Sequence, residues 1–243
     1  MLKIKEIFKT LIPSPFKEYL LEYNRRRFCI KLYKEKEQNN PGNYYSYFVF
    51  DYYKCIFIHL PKSAGIAVNL ALFGNYGGGH RSLRFYEKKY PKRTIDEYYK
   101  CTIVRNPWDR LFSAYNFLKK GGFSVADKEW AEKHLIDFVS FEDFVLNWVN
   151  KENIYKGVHF IPQYDFLINS EGKVNMDFIG RFEDMENSFR VISEHINGNS
   201  VLEKHNVTDN KSPYYNFYTE KMIEIVEDVY EKDIKEFNYK FKP

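Results

Sequence analysis

Residues 105–113 combine the end of a strand, the start of a helix and two groups that can bind phosphate. The apolar run 101–104 before them predicts a buried strand, while Asn106 and Pro107 are typical of the N-cap and first position of a helix. Arg105 therefore lies at the carboxyl end of the strand, and Ser113 lies two turns into the helix. A guanidinium with its planar fork of donors and a nearby hydroxyl together suit one phosphate group.

A second strand-to-helix turn follows the apolar, β-branched residues 55–60. Its sequence is Pro61-Lys62-Ser63-Ala64-Gly65. Small residues let the backbone curl closely around an anion, and the helix predicted over 66–73 directs unpaired N–H groups at it. Lys62 adds a mobile positive charge. The turn lacks the glycines of the Walker sequence G-x-x-x-x-G-K-[ST], so it does not predict an ordinary ATPase.

The order of predicted elements indicates the fold class. A further strand is predicted over 177–180, helices over 141–149, 185–196 and 218–237, and a loop or short insertion over 119–131. Strands that alternate with helices indicate an α/β domain whose central parallel sheet is flanked by helices. Both phosphate-binding turns then lie at one end of the sheet, which suggests a ligand phosphorylated at two places.

These motifs resemble those of the sulfotransferases that use 3′-phosphoadenosine 5′-phosphosulfate (PAPS), and in particular the branch that sulfates carbohydrates. The 61–65 turn is similar to the family's 5′-phosphosulfate loop, and Arg105 with Ser113 is similar to its 3′-phosphate motif. Similar segments continue in the family's order at 79–82, 162–167, 179–183 and 229–239. The resemblance implies a single P-loop-like domain that moves a sulfuryl group from PAPS to a hydroxyl or amine of a carbohydrate or polysaccharide.

The resemblance also implies which residues bind PAPS. They are Lys62, Ser63, Ala64, Gly65, Ile66, Ala67, Arg105, Ser113 and Lys211. Lys62 is in addition the expected catalytic group that stabilises the departing phosphate oxygen. Lys211 and Ser212 belong to a polar stretch that either closes over the 3′-phosphate or is a solvated loop. The family usually has Thr and Ser hydroxyls where this chain has Ile66 and Ala67, and each lost hydrogen bond is expected to weaken cofactor binding by ~1 kcal/mol.

The general base is expected to be a histidine, because a neutral imidazole accepts a proton at physiological pH. His80 ranks first, since a glycine-rich run precedes it and family members carry a catalytic histidine in a similar context. His159 is the second candidate. His59 is expected to belong to the strand core, and Glu183 is a distant fourth candidate. Arg181 either contacts the ligand or pairs with Glu183, and the ion pair is favoured.

The chain of 243 residues suits one α/β domain over 44–243 with a basic, helical N-terminal extension over 1–43. Residues 1–40 contain ten Lys and Arg against five Glu. Apolar residues at helical spacing over 2–12 predict an amphipathic helix that packs on the domain or contacts a membrane surface or partner. The basic excess is local and no binding motif accompanies it, so nucleic acid is not an expected partner. No feature indicates an oligomeric state.

The patterns that are missing limit the alternatives. No apolar run has the length of a membrane span and no signal-peptide pattern is visible, so we expect a cytoplasmic protein. The three cysteines and six histidines lack metal-ligand spacing, so no metal is expected and the thiols are expected to be structural. Two alternatives stay open: a catalytically impaired protein of the same fold that binds PAP, PAPS or a glycan, which Ile66 and Ala67 favour, and a nucleotide kinase, which the missing Walker glycines disfavour.

Overall fold

The computed structural model describes residues 15, 16, 19, 20, 23, 44–196, 202 and 212–242. The helix predicted over 2–12 lies outside the described residues, as does Lys211. The division of the chain at residue 43 and the membrane contact of the extension therefore stay predictions. Within the described part of the chain, every helix is too short or too polar to traverse a bilayer.

The sheet consists of three parallel strands in the order β1-β2-β3. The strands are β1 (Cys55–Ile58), β2 (Tyr99–Val104) and β3 (Phe178–Arg181). Phe57 is opposite Cys101, and Thr102 is opposite Ile179. Every residue of β1 is buried, as is every residue of β2 after the first. This burial is typical of parallel strands that are covered on both faces, and it confirms the predicted α/β fold.

Eleven helices are found in the described residues from 44 to 242. They are α1 (Phe48–Tyr53), α2 (Gly65–Phe73), α3 (Leu83–Lys89), α4 (Lys92–Glu97), α5 (Pro107–Lys119), α6 (Val125–His134), α7 (Phe141–Asn147), α8 (Gln163–Leu167), α9 (Met185–His195), α10 (Glu220–Val229) and α11 (Glu231–Glu236). Short 3₁₀ turns occur at Asn153–Lys156, Phe182–Asp184 and Tyr214–Phe217. Helix α1 packs on β1 and α9 packs on β3, so helices protect both outer strands of the sheet.

The start of α5 has the local structure that its sequence predicts. Asn106 Oδ1 accepts a hydrogen bond from Trp108 N over 3.1 Å, and Pro107 occupies the first turn. Proline suits this position because its missing N–H would have no partner inside the helix. Trp108 is buried, and its carbonyl accepts a bond of 2.7 Å from the Tyr218 hydroxyl. The cap and this buried anchor fix the direction in which the chain leaves β2.

Two predicted segments differ from the structure. The loop predicted over 119–131 ends at α6, because Ser124 and Asp127 form a reciprocal capping box that starts this helix. The helix predicted over 218–237 consists of α10 and α11, which are separated at Tyr230. That side chain is buried, and its hydroxyl donates to the Phe160 carbonyl over 2.7 Å.

Cys55 and Cys101 are free thiols in the core. Both are fully buried, and their Sγ atoms lie 3.6 Å apart between β1 and β2. Burial raises the pKa of Cys101 well above its ordinary value, which keeps that thiol protonated. The structural role predicted for these two residues agrees with this packing.

Candidate functional site

The turns after β1 and β2 meet at the carboxyl edge of the sheet. Arg105 Nη1, at the end of β2, donates a hydrogen bond of 2.9 Å to the carbonyl of Lys62 in the loop after β1. Parallel neighbouring strands place their carboxyl ends at one edge, where α/β proteins commonly bind ligands. The structure therefore brings together the two turns that the sequence identifies as phosphate-binding.

The backbone of the loop after β1 has an unusual conformation. Lys62 has φ 67° and Ala64 has φ 58°, so two residues with side chains lie in the left-handed region. Such a conformation costs on the order of 1–3 kcal/mol per residue and is concentrated at ligand sites. Left-handed residues within a turn direct successive backbone N–H groups to one side, which creates an anion-binding concavity. Helix α2 begins at Gly65 and adds the N–H groups of its first turn.

The loop packs closely on His59, the residue that follows β1. A Cβ atom at Gly65 would lie 1.9 Å from His59 Cδ2, so only glycine fits there. The side chains of His59 and Ser63 are buried, and within the described residues His59 Nδ1 and Ser63 Oγ have no hydrogen-bond partner. A buried polar atom without a partner is costly unless a ligand or water completes it.

The two predicted cationic residues are held by different contacts. Lys62 Nζ lies 3.7 Å from the centre of the Phe117 ring on α5, a cation–π contact. Arg105 Nε donates to Asp109 Oδ2 over 2.7 Å, and its guanidinium carbon lies 4.0 Å from the centre of the Phe182 ring. Ser113 lies two turns along α5 and is partly buried.

Three histidines form a cluster beside the loop. The ring centres of His59 and His80 are 4.3 Å apart, and those of His80 and His159 are 5.9 Å apart. Both candidate bases therefore occupy one site. Asp127 Oδ1, in the first turn of α6, lies 3.8 Å from His159 Nε2. Sequence reasoning assigned His59 to the strand core; it is buried, but it lies one residue past β1 and borders the loop. Its position two residues before Pro61 is the signal in the sequence that could have indicated this.

A hydrogen bond to the backbone determines the tautomer of His80. Its Nδ1 lies 3.0 Å from the His59 carbonyl oxygen. A carbonyl only accepts, so in the neutral ring Nδ1 carries the proton and donates it. The other nitrogen, Nε2, is then the atom with a lone pair that can accept a proton.

The electrostatics of the cluster keep its imidazoles neutral. Burial lowers the pKa of His80, the hydrogen bond to the His59 carbonyl and Asp127 oppose this, and Lys62 lowers it further. Burial also lowers the pKa of His159 to about 4, against the opposing effect of Asp127. The pKa of His59 lies well below its ordinary value, again chiefly because of burial. The three rings are thus proton acceptors at neutral pH.

A cavity of about 300 Å³ opens beside His80. It is lined by His80, Arg81, Ser82, Phe85, Val158, Ile161, Asp165 and Phe166. The lining combines an apolar wall with one cationic, one anionic and one hydroxyl side chain. Polar groups on an apolar wall are typical of a site that binds and orients a small polar molecule.

The predicted ion pair between Arg181 and Glu183 is wrong. Glu183 Oε1 accepts from the backbone N–H of Asn106 over 2.6 Å, and Oε2 accepts from the Tyr239 hydroxyl over 3.0 Å. Arg181 stacks on the Tyr239 ring at 4.7 Å and donates to the Phe237 carbonyl. Asn106 and the C-terminal residues Phe237 and Tyr239 are the competing partners.

Two further predictions are not tested by the geometry. Lys211 lies outside the described residues, and its neighbour Ser212 is exposed. Among the side chains that the structure describes, no group of three or more His, Cys, Asp or Glu has an arrangement that could hold a metal ion. The cofactor role of Lys211 and the independence from metal both stay predictions.

Comparison with known proteins identifies the family. Residues 45–240 match a family model described as "Sulfotransferase family". This match covers more than half of the 243 residues, and the chain belongs to the sulfotransferase family. Searches of curated proteins and of solved structures found no match. Family membership indicates a transferase that moves sulfuryl groups, and it confirms the family resemblance that the sequence motifs predict.

Proposed function

We propose that this protein transfers the sulfuryl group of PAPS to a hydroxyl or amine of a carbohydrate. The observation that carries the proposal is the meeting of the two turns, where Arg105 bonds to the Lys62 carbonyl directly beside the histidine cluster. A sulfuryl donor that carries phosphates at two positions suits two such turns at one edge of a sheet. The acceptor needs a base nearby, and the cluster contains one.

The loop after β1 suits the 5′-phosphosulfate. Its left-handed residues and the first turn of α2 supply backbone N–H groups, and Ser63 Oγ is a buried hydroxyl that lacks a partner among the described residues. Ile66 and Ala67 lie in the first turn of α2 and contribute backbone N–H groups but no hydroxyl. Lys62 contributes the ammonium group.

Arg105 suits the 3′-phosphate. A guanidinium has five N–H donors. Its contacts to Asp109 and to the Lys62 carbonyl use two of them, which leaves three for a phosphate. Those contacts also hold the planar group in place before a ligand arrives, so less entropy is lost on binding. Ser113 is the proposed second donor to the same phosphate.

The chemistry assigned to this chain is proton transfer and charge stabilisation. PAPS supplies the sulfuryl group, and the acceptor oxygen or nitrogen forms the new bond to sulfur as the bond to the phosphate oxygen breaks. His80 Nε2 takes the acceptor proton, since Nδ1 is committed to the His59 carbonyl. Lys62 and the loop N–H groups stabilise the negative charge on the departing phosphate oxygen. His159 is the alternative base.

The acceptor is assigned to the cavity beside His80. Its volume of about 300 Å³ suits a single sugar unit rather than a folded macromolecule. Phe85 offers a ring face, while Arg81 and Asp165 offer hydrogen bonds to hydroxyl groups. The carbohydrate class itself rests on the resemblance of the motifs to the carbohydrate branch.

Calorimetric titration with PAP, the desulfated product, tests the cofactor. We expect Arg105→Ala to weaken PAP binding by about 2–5 kcal/mol, because a charge-assisted contact is lost and the phosphate loses its partner. Ser113→Ala should weaken it less. Circular dichroism of each variant controls for folding. Equal affinity of the wild type and Arg105→Ala would contradict the assignment.

Turnover with labelled PAPS and a panel of glycans tests the reaction. Transfer of label to any glycan supports the sulfotransferase. The second candidate is a catalytically impaired protein that binds PAP, PAPS or a glycan, and the absence of hydroxyls at Ile66 and Ala67 favours it. Tight PAP binding without transfer to any acceptor in the panel would select this second candidate.

A further inference from the structure

The side chain of Gln163 pairs with the backbone of Arg105, although the two residues are 58 positions apart. Gln163 Oε1 accepts from Arg105 N over 2.8 Å, and Gln163 Nε2 donates to Arg105 O over 2.8 Å. Because the backbone N–H only donates and the carbonyl only accepts, the amide orientation is determined. The side chain is fully buried. These two bonds reproduce at the end of β2 the pairing that a neighbouring strand would provide.

Asp233 holds Gln163 from the opposite side. Asp233 Oδ2 accepts from Gln163 N over 2.9 Å and from Gln163 Nε2 over 3.3 Å, while Oδ1 accepts from Tyr164 N over 2.8 Å. Asp233 is completely buried. A buried carboxylate is tolerated when several N–H groups compensate it, and here three do so. A continuous line of hydrogen bonds therefore connects α11 through the start of α8 to the residue after β2.

The position of the Arg105 guanidinium depends on the direction of the Arg105 backbone. Its bond to the Lys62 carbonyl and its ion pair with Asp109 both require the Arg105 peptide to keep its present direction. Asp109 and the Lys62 carbonyl hold the guanidinium, and Gln163 holds the backbone from which the side chain extends. Loss of both amide bonds would leave the Arg105 N–H and carbonyl unpaired and free to rotate toward other partners.

We propose that Gln163, held by Asp233, is a positioning residue that sets the direction of Arg105 and so determines how well the protein recognises a 3′-phosphate. This inference rests on the proposed function, in which Arg105 binds that phosphate. Gln163 itself does not contact the nucleotide. Its effect should therefore appear only for ligands that carry the 3′-phosphate.

The test compares two nucleotides in the full-length protein. PAP carries the 3′-phosphate and adenosine 5′-monophosphate does not, so the ratio of their affinities measures recognition of that group. We expect Gln163→Met, which keeps the length of the side chain and removes both amide bonds, to lower PAP affinity about tenfold or more. The affinity of the Gln163→Met variant for adenosine 5′-monophosphate should stay within about twofold of the wild-type affinity.

Matched variants separate positioning from general damage. Tyr164 lies next to Gln163 in α8, and Tyr164→Phe removes its bond of 3.2 Å to the Gly172 carbonyl but leaves the Arg105 pairing intact. The ratio of the two nucleotide affinities in this variant should therefore equal that of the wild type. In an Arg105→Ala background, Gln163→Met should have no further effect on PAP binding. If Gln163→Met does not fold, Asp233→Asn, which keeps the volume of the side chain, is measured and interpreted in the same way.

Each outcome decides between the two proposals. Equal loss of affinity for both nucleotides in Gln163→Met would overturn the positioning role while leaving the proposed function intact. A wild type that does not distinguish the two nucleotides would overturn both the 3′-phosphate assignment and the inference. Selective loss of PAP binding, absent in Tyr164→Phe, supports the inference.

Discussion

The turn after β2 and the loop after β1 touch each other, yet their polar groups are satisfied in opposite ways. Around the β2 turn, Gln163 pairs with both backbone groups of Arg105, Glu183 accepts from Asn106 N, and Asn106 Nδ2 donates to the Lys240 carbonyl over 2.8 Å. In the β1 loop, Ser63 Oγ and His59 Nδ1 are buried without a partner in the described part of the chain. The backbone groups of Arg105 and Asn106 are thus paired without a ligand, whereas the β1 loop keeps two buried polar atoms that a ligand or water would complete.

The two regions also differ in charge. Beside the β2 turn, Asp109 pairs with the Arg105 guanidinium, and Glu183 accepts from the backbone N–H of Asn106. Around the β1 loop, burial chiefly lowers the pKa values of His80 and His159, Lys62 lowers them further, and Asp127 opposes this effect. In the proposed function, the β2 turn binds the 3′-phosphate, while the β1 loop binds the 5′-phosphosulfate and lies beside the neutral histidines that accept the proton.

The largest effect is expected from the base. His80→Ala should lower kcat by about 10²–10⁴-fold while PAP affinity stays near the wild-type value, because the base acts on the acceptor proton. Lys62→Ala should reduce both kcat and PAP affinity, since the ammonium contacts the phosphosulfate before and during transfer. Steady-state rates and PAP titrations check this contrast. Normal turnover in His80→Ala with loss in His159→Ala would move the base to His159.

The acid limb of the pH profile is expected below the ordinary histidine pKa of 6.5. The base acts when it is unprotonated, and burial lowers the pKa of His80, so the ring stays neutral to lower pH than an exposed histidine does. Asp127 raises this pKa, so Asp127→Asn should move the limb to still lower pH. A kcat/KM profile measures both positions. A wild-type limb above 6.5, or a shift to higher pH in Asp127→Asn, would contradict the electrostatic assignment.

The sequence predicts those features of the site that depend on neighbouring residues. Asn106 and Pro107 start α5 as expected, because an N-cap acts within one turn of chain. The capping box of Ser124 and Asp127 has the same local character, but Gly121 and Gly122 directly before it favoured a loop. The strands were predicted by their apolar runs, with ends that differ by a few residues.

Contacts made across the fold could not be predicted in this way. Gln163 bonds to the backbone of Arg105 from 58 positions away, and Glu183 bonds to the backbone N–H of Asn106 from 77 positions away. Nothing in the sequence around Gln163 or Glu183 indicates these partners. Arg181 and Glu183 are only two positions apart, yet they do not pair. Tyr239, brought in by the C-terminal segment, contacts both side chains instead. Polar side chains have several possible partners, and tertiary structure selects among them.

The smallest effect is expected at Ser63, and it tests the comparison most directly. Ser63→Ala removes a buried hydroxyl without a partner in the described structure, so the stability of the ligand-free protein should be unchanged within about 0.5 kcal/mol. PAP binding should weaken by about 0.5–1.5 kcal/mol, because the ligand loses a hydrogen bond.

Asn106→Ala is the matched contrast: it removes a satisfied cap and should cost about 1 kcal/mol of stability before any ligand is added. Thermal unfolding with and without PAP measures both quantities. Equal destabilisation of the two ligand-free variants would mean that the polar groups of the β1 loop are as fully paired as those of the β2 turn, and the contrast between the two regions would fail.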